Sequence, residues 1–221
     1  LNLLRAFEEA LRTAYLLHPN VMRLIAANLD RIDDDMRADP EAVQIFTDLL
    51  LKHGNPERAL RRMNELGVLS AFIPEFEPIV AMMQFNVYHH YTVDEHIIQT
   101  ISCLAQIERG ELVEELPVAS GILKEGVNRR VIYVALLLHD IGKGYPGDHT
   151  DVGVDLVRVI GPRLGLIDDD VDVIVTMVRE HLLLPDVATR RDLSDDGTIN
   201  AVAEAVGNDV TLDLLSALTE A

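Results

Sequence analysis

The 221-residue chain has little of the chemistry that marks secreted, membrane-bound or nucleic-acid-binding proteins. A single cysteine, Cys103, excludes an internal disulfide and is typical of the reducing cytoplasm. No apolar run reaches the about 18 residues of a membrane-spanning helix, and no segment has the pattern of a secretory signal. The net charge of −18, with no basic run, argues against partners such as nucleic acid or an anionic membrane surface.

Strand signals are nearly absent, whereas helix signals recur along the chain. The segments Asp39-Pro40-Glu41 and Asn55-Pro56-Glu57 each place an N-capping residue before a proline at the first helical position. Gly54 and Gly67 follow at the positions expected of left-handed C-terminal caps. Because the composition is also 48% hydrophobic, the chain can bury a sizeable core, and the sequence predicts an all-α fold.

The second half of the chain carries the longest helical patterns. Thr92-Val93-Asp94-Glu95 has the spacing of a capping box and predicts a helix that runs towards Gly110. Residues 131–138 are apolar on every side, which predicts a buried central helix, with a buried strand as the alternative. Further helices are expected at about 150–160, 170–184, 198–206 and 209–220.

The proline-containing stretch 73–78 is the best candidate for a domain boundary, because every residue that looks reactive follows it. We therefore expect a helical annex over residues 1–78 and a second domain over residues 79–221. The first residue is Leu1 rather than methionine, and the last helical pattern breaks off at Ala221. These two features lead us to expect a part of a longer protein.

The pair His139-Asp140, at the end of the predicted central helix, is the sharpest chemical signal. An aspartate at a helix C-terminus opposes the helix dipole at a cost of about 0.3–1 kcal/mol, and burial would normally neutralise it. A bound divalent cation reverses this preference because it holds the carboxylate ionised. The alternative is a hydrogen-bonded His-Asp pair that closes the helix without a metal.

Three more histidines, His96, His149 and His181, lie on or beside other predicted helices. Each of them alone is more often a core or capping residue than a metal ligand. Together with His139 and Asp140 they provide four imidazoles and one carboxylate on separate helices. This set suits one or two transition ions and leaves coordination positions open for water.

Weaker candidates surround this group. Lys143 follows the pair by three residues and could neutralise a phosphoryl oxygen, or be a solvated loop lysine. His89 and His90 could line the mouth of the site or form a solvated pair. Arg190 and Arg191 could clamp a phosphate or balance nearby acidic residues, and we favour the surface role.

In chain order, His96, His139-Asp140, His149 and His181 resemble the ligand pattern of the HD superfamily of metal-dependent phosphohydrolases. Longer motifs are similar to bifunctional uridylyltransferase/uridylyl-removing enzymes, which modify the PII nitrogen-signalling protein. These motifs are Arg61-Arg62-Met63-Asn64-Glu65-Leu66-Gly67, Tyr91-Thr92-Val93-Asp94-Glu95-His96, Leu138-His139-Asp140-Ile141-Gly142-Lys143-Gly144, Asp148-His149-Thr150 and Thr189-Arg190-Arg191-Asp192-Leu193-Ser194-Asp195. The similarity covers residues 40–221 well and the preceding residues weakly.

The resemblance implies an HD-domain helical bundle that follows an N-terminal helical annex. It further implies that His96, His139 and Asp140 hold one divalent ion and that His149 and His181 hold a second, bridged by Asp140. Two ions about 3.5–4 Å apart would activate a water and neutralise phosphodiester oxygens, with Asp140 and Lys143 in catalytic roles. Histidine-rich ligation favours Mn, Fe or Zn over Mg, and the implied substrate is the uridylylated PII protein, from which UMP is removed.

The chain departs from the family pattern in two ways. The nucleotidyltransferase signature and the regulatory ACT domains are absent, so we expect no uridylyl transfer by this chain. The last aspartate of the HD pattern is expected just beyond Ala221, so we also expect a domain truncated at its C-terminal end, a weakened first metal site, and poor or no phosphodiester hydrolysis by this chain alone. A catalytically silent HD-like regulatory module and an HD hydrolase of small nucleotides such as guanosine tetraphosphate stay open as alternatives.

Overall fold

The computed structural model describes residues 1–83, 91–191 and 195–221. Within these ranges the regular secondary structure is helical, and the only strand-like pairing is an isolated antiparallel bridge between Met83 and Thr92. The predicted all-α class is therefore confirmed. None of the helices in these ranges is both long enough and apolar enough to cross a membrane.

The N-terminal third of the chain consists of short helices joined by tight turns. They are α1 (Asn2–Thr13), α2 (Pro19–Ala26), a 3-10 turn (Leu29–Arg31), α3 (Asp34–Ala38), α4 (Pro40–Leu51), α5 (Pro56–Glu65), α6 (Val68–Phe72) and a 3-10 helix (Pro74–Ile79). As predicted, Asp39 caps α4 by accepting hydrogen bonds from two backbone N–H groups of its first turn. Gly54 and Gly67 adopt the left-handed conformation, with φ of 75° and 76°. Asn55 precedes α5 but makes no side-chain cap.

The remaining helices are longer and surround a central one. They are α7 (Val93–Glu108), α8 (Pro117–Glu125), α9 (Arg129–Leu138), a 3-10 helix (Ile141–Gly144), α10 (His149–Arg163), α11 (Asp168–Glu180), α12 (Leu183–Arg190), α13 (Asp196–Val206) and α14 (Asp209–Glu220). Residues 131–138 of α9 are all buried, because α9 lies against α4, α7, α11 and α14. The helical interpretation of this apolar run is confirmed, and the strand alternative is wrong.

The helix predicted at about 170–184 is wrong at its C-terminal end. α11 ends at Glu180, and α12 begins at Leu183 after a two-residue turn. Pro185 explains the break, because in a continuous helix its ring would clash with the carbonyl of His181 and it has no N–H to donate. The break leaves His181 at a helix end, where its side chain can turn towards the centre of the molecule.

The capping box predicted at the start of α7 is also wrong in its mechanism. Thr92 is the N-cap residue, but its side chain makes no hydrogen bond to the backbone of the first turn. Glu95, the predicted reciprocal partner, instead forms an ion pair with Arg61 of α5, with Oε1 and Nη2 2.7 Å apart. The start of α7 is therefore held by side chains of the annex as well as by its own backbone.

One continuous cluster of buried apolar side chains extends from α1 to α14. The 3-10 helix Pro74–Ile79 packs both on α6 and on the 3-10 helix Ile141–Gly144. Arg163 of α10 reaches back to Glu75 in a two-pronged ion pair, with N–O distances of 2.9 and 2.6 Å. The two proposed parts therefore share a core, and the division near residue 78 stays a prediction.

Candidate metal centre

Five candidate ligands come together where four elements begin or end. His139 is the C-cap of α9 and His181 is the C-cap of α11, while His149 is the first residue of α10. Asp140 directly follows His139, and His96 lies in the first turn of α7. Because these termini converge, residues separated by up to 85 positions in sequence form one cluster.

The four imidazoles form a row. The ring centroids are 5.3 Å apart between His96 and His139, 5.4 Å between His139 and His181, and 5.5 Å between His181 and His149. Neighbouring ring planes are inclined by 72°, 73° and 71° in the same order. Each ring therefore presents an edge to the next one.

Asp140 lies in the middle of this row and faces both halves. Its Oδ2 is 3.7 Å from Nε2 of His96 and 3.5 Å from Nε2 of His139, whereas its Oδ1 is 3.5 Å from Nε2 of His181. The donor atoms of His96, His139 and Asp140 lie within 4.8 Å of one another, and so do those of Asp140, His149 and His181. The carboxylate is thus shared by two triads, as a bridging ligand would be.

Backbone carbonyls fix the orientation of two of the imidazoles. Nδ1 of His139 lies 2.7 Å from the carbonyl oxygen of Leu136, and Nδ1 of His181 lies 2.7 Å from that of Val178. A carbonyl only accepts, so each Nδ1 carries a proton, and in the neutral form of either ring Nε2 then carries the lone pair. Metal-binding histidines are commonly held in this way, with the second ring nitrogen bonded to a carbonyl or carboxylate.

This orientation leaves hydrogen-bond acceptors facing one another inside the protein. Among the described residues, Oδ1 of Asp140 and the Nε2 atoms of His149 and His181 are buried without a hydrogen-bond partner. Buried polar atoms that lack a partner are costly. A divalent cation would satisfy all three atoms at once, so the donor set fits a transition metal.

The charges of the site are set by burial. Burial lowers the pKa of His139 to about 4 and also lowers the pKa of His149, so both rings are neutral near pH 7, the form that binds metals. Burial alone would raise the pKa of Asp140, but its interactions with His139 and Lys143 outweigh burial and hold that pKa well below its usual range. The site therefore offers one ionised carboxylate beside the neutral imidazoles of His139 and His149.

Lys143 lies inside this site. Its Nζ is 2.7 Å from Oδ2 of Asp140, and its side chain is only 15% exposed, so the solvated-loop alternative does not describe it. The turn that carries it packs tightly, since a Cβ on Gly142 would lie 2.0 Å from the backbone oxygen of His149. Glycine at this position therefore lets the start of α10 approach the turn that follows Asp140.

One buried polar residue beside the site has no distinctive signal in the sequence. Asp94, which the sequence analysis places within the Thr92–Glu95 capping-box segment, is 5% exposed and accepts hydrogen bonds from the backbone of Ala81 and the side chain of Asn64. Burial alone would raise the pKa of Asp94, but hydrogen bonds from Thr92 and its other partners outweigh burial and lower it. The sequence pattern around Asp94 is the same as that of the acids that start many helices.

The remaining candidates lie elsewhere. His89 and His90 fall outside the described residues. Arg190 pairs with Asp186 one turn earlier, 2.7 Å away, and its side chain is 76% exposed, in agreement with the surface role. Arg191 is exposed as well.

The chain matches two family models, one of which contains the candidate ligands. The profile described as HD domain matches residues 93–209, which include both triads and Lys143. The profile described as Uridylyltransferase GlnD third domain matches residues 1–72.

Curated relatives from three bacteria match nearly the whole chain, and each is named bifunctional uridylyltransferase/uridylyl-removing enzyme. The relative from Ruegeria pomeroyi is 68% identical over 219 residues, and that from Cereibacter sphaeroides is 64% identical over 219 residues. The relative from Azospirillum brasilense is 43% identical over 221 residues. These alignments cover 99–100% of this chain but 24% of each relative, so the chain spans about a quarter of their length.

Proposed function

The chain belongs to the HD domain family, and from that premise we propose that it hydrolyses the phosphodiester that joins UMP to a tyrosine of the PII nitrogen-signalling protein. The observation that carries the proposal is the pair of triads that share Asp140. The names of the relatives support the substrate, because each one combines uridylyl transfer with uridylyl removal. In this proposal the chain is the uridylyl-removing part of such an enzyme.

The metal ligands follow from the two triads. His96, His139 and Asp140 would hold one divalent ion, and Asp140, His149 and His181 would hold the other. Such ions supply a hydroxide nucleophile at neutral pH and offset the negative charge of the phosphodiester oxygens. An imidazole-rich set favours Mn, Fe or Zn over Mg.

The protein groups prepare the site for this chemistry. His139 and His181 keep their protons on Nδ1, bound to carbonyls, and so keep Nε2 available as a donor atom. Asp140 stays ionised near pH 7 because its pKa lies well below the usual range. The ammonium group of Lys143 lies at the edge of the first triad, where it can donate a hydrogen bond to a phosphoryl oxygen.

The leaving group sets a modest demand on the protein. A tyrosine phenol has a pKa of about 10, so phenolate departs far more readily than the alkoxide of a serine or a sugar. The reaction therefore needs no strong general acid, and Lys143 or a water molecule is sufficient to deliver the proton.

Release of UMP from uridylylated PII tests the proposal. With Mn²⁺ or Zn²⁺ added after chelation, we expect release of UMP at the low rate of a chain whose first metal site is weakened, up to one UMP per modified tyrosine. Asp140→Asn should lower the rate by more than the about 10–100-fold that outer-shell substitutions cost, because both ions lose a ligand. Asp151→Asn, an exposed change on α10, is the matched control and should leave the rate unchanged.

Parallel substrates distinguish the alternatives. Faster hydrolysis of guanosine tetraphosphate than of uridylylated PII would contradict the proposed substrate and favour a small-nucleotide hydrolase. Binding of metal without hydrolysis of either substrate would contradict the enzymatic proposal and favour a silent regulatory module.

A further inference from the structure

His96 is the candidate ligand that depends most on the surroundings of its helix. The side chains of His139 and His181 are 6% and 4% exposed, and each is anchored to a carbonyl of its own helix. The side chain of His96 is 36% exposed and lies in the first turn of α7. Its position relative to Asp140 therefore depends in part on what holds the start of α7.

The carboxylate of Asp94, two residues before His96, forms the centre of that support. Its Oδ2 accepts hydrogen bonds from Nδ2 of Asn64 at 2.7 Å and from the backbone N–H of Ala81 at 3.0 Å. Its Oδ1 accepts the N–H of Glu95 at 3.0 Å. One buried side chain thus joins α5, the segment after the 3-10 helix Pro74–Ile79, and the first turn of α7.

Two further observations show that this junction is firmly held. Arg61, one turn before Asn64 on α5, forms the ion pair with Glu95, so α5 contacts two consecutive residues of α7. Ala81 adopts a φ of 54°, a left-handed conformation that non-glycine residues rarely adopt unless their surroundings impose it. The hydrogen bond to Asp94 is one of the contacts that hold Ala81 in this conformation.

We propose that Asp94 is a positioning residue for the metal centre: by joining α5 of the annex to the start of α7, it fixes Nε2 of His96 against His139 and Asp140. The inference rests on the proposed metal-dependent function. α5 lies within residues 1–72, matched by one profile, and α7 lies within residues 93–209, matched by the other. In this proposal, α5 of the annex helps to position His96, a ligand of the first ion.

Only a carboxylate suits this junction. Asn64, Ala81 and Glu95 all donate to Asp94, and an ionised carboxylate is acceptor-only. An asparagine of the same shape replaces one oxygen by an NH₂ group, which must face a donor. Asp94→Asn therefore disturbs the support of α7 without changing the volume of the side chain or touching any candidate ligand.

Binding of Mn²⁺ alone, followed by electron paramagnetic resonance, tests the inference. We expect Asp94→Asn to weaken binding at the first site by about 10–100-fold, as for residues that orient metal ligands, and to leave the second site nearly unchanged. Asp169→Asn, an exposed first-turn acid of α11, is the matched control and should change neither site.

A double-mutant cycle separates positioning from general destabilisation. If Asp94 acts through His96, Asp94→Asn should cause no further loss of Mn²⁺ affinity once His96→Ala is present. An equal loss in both backgrounds, or wild-type affinity in Asp94→Asn, would overturn the inference. If Asp94→Asn does not fold, Asn64→Ala removes one of the same hydrogen bonds and carries the same cycle with the same two outcomes.

The cycle also separates this inference from the proposed function. A wild-type protein that binds two ions with the expected dependence on Asp94, but releases no UMP, leaves the positioning role standing and contradicts the hydrolase. A wild-type protein that binds no Mn²⁺ contradicts both.

Discussion

At the residue scale, His139 and Asp140 stand out in the sequence because they are polar residues directly after the apolar run 131–138, and a buried polar residue is an informative observation. His96, His149 and His181 do not stand out alone and became candidates only as a set with this pair. Asp94 is equally buried but stands where an acidic residue is common at any helix start. Its partners on α5 and at Ala81 are distant in sequence, so only the folded structure reveals them.

Gly142 gives a prediction at the same scale. Gly142→Ala would place a Cβ against the backbone of His149 and should destabilise the protein by about 1–3 kcal/mol, as overpacking does. Because α10 must move to relieve the clash, Mn²⁺ binding at the second site should weaken as well. Urea unfolding and Mn²⁺ titration check the two effects.

Gly121→Ala is the matched control for this substitution. Gly121 lies on α8 with open space around its Cβ position, so alanine should stabilise the protein by up to about 1 kcal/mol through helix propensity. A Gly142→Ala protein that unfolds like wild type and binds two ions would contradict the packing argument.

At the scale of elements, the existence of helices was easier to predict than their ends. α10, α11, α13 and α14 follow from apolar periodicity, which spans many residues, and the central helix follows from an unbroken apolar run. The end of α11 depends on Pro185, and the start of α7 depends on contacts with α5. Pro185 was a signal present in the sequence, whereas the contacts with α5 are tertiary and leave no local pattern.

The ion pair between Glu75 and Arg163 is another tertiary contact, and its contribution to the stability of the fold should depend on pH. Burial alone would raise the pKa of Glu75, but the hydrogen bonds and charge of Arg163 outweigh burial and lower it. A lowered pKa in the folded state means that the unfolded chain binds more protons in acid. The stabilisation is therefore complete above the unfolded pKa of about 4.3 and is lost as the pH falls through the folded value.

Glu75→Gln should lower the free energy of unfolding at pH 7 by about 1–3 kcal/mol, and the difference from wild type should shrink at pH 3. Urea unfolding at both pH values measures the two differences. Asp172 forms an exposed ion pair with Arg158, which lies on α10 as Arg163 does. Asp172→Asn is therefore the matched control, and it should change the free energy of unfolding little at either pH. A difference in the free energy of unfolding between Glu75→Gln and wild type that is the same at both pH values would contradict the lowered pKa of Glu75.

At the scale of the whole molecule, the all-α class could be predicted from the sequence, but the joint core could not. Aromatic side chains of the annex, such as Phe46 and Phe72 with ring centroids 5.0 Å apart, belong to the same cluster as α9. The sequence indicated a boundary near residue 78, because every residue that looks reactive follows it. Packing across that boundary depends on which faces meet, and helical periodicity does not specify this.

The shared core predicts that the annex cannot be removed without loss. A chain that begins at residue 73 would expose the apolar surface that α4 and α5 cover and would lose Asn64 and Arg61, which contact Asp94 and Glu95. We expect it to show no cooperative thermal unfolding and no tight Mn²⁺ binding. Cooperative unfolding together with wild-type Mn²⁺ affinity would contradict this expectation.

The central claim is that Asp140 bridges two metal ions, and Mn²⁺ electron paramagnetic resonance tests it most directly. The wild-type chain should bind two Mn²⁺ ions with the spin-coupled spectrum of ions about 3.5–4 Å apart. Asp140→Asn should abolish the coupling, because both triads use this carboxylate. Two uncoupled ions in the wild type, or an unchanged coupled spectrum in Asp140→Asn, would contradict the claim.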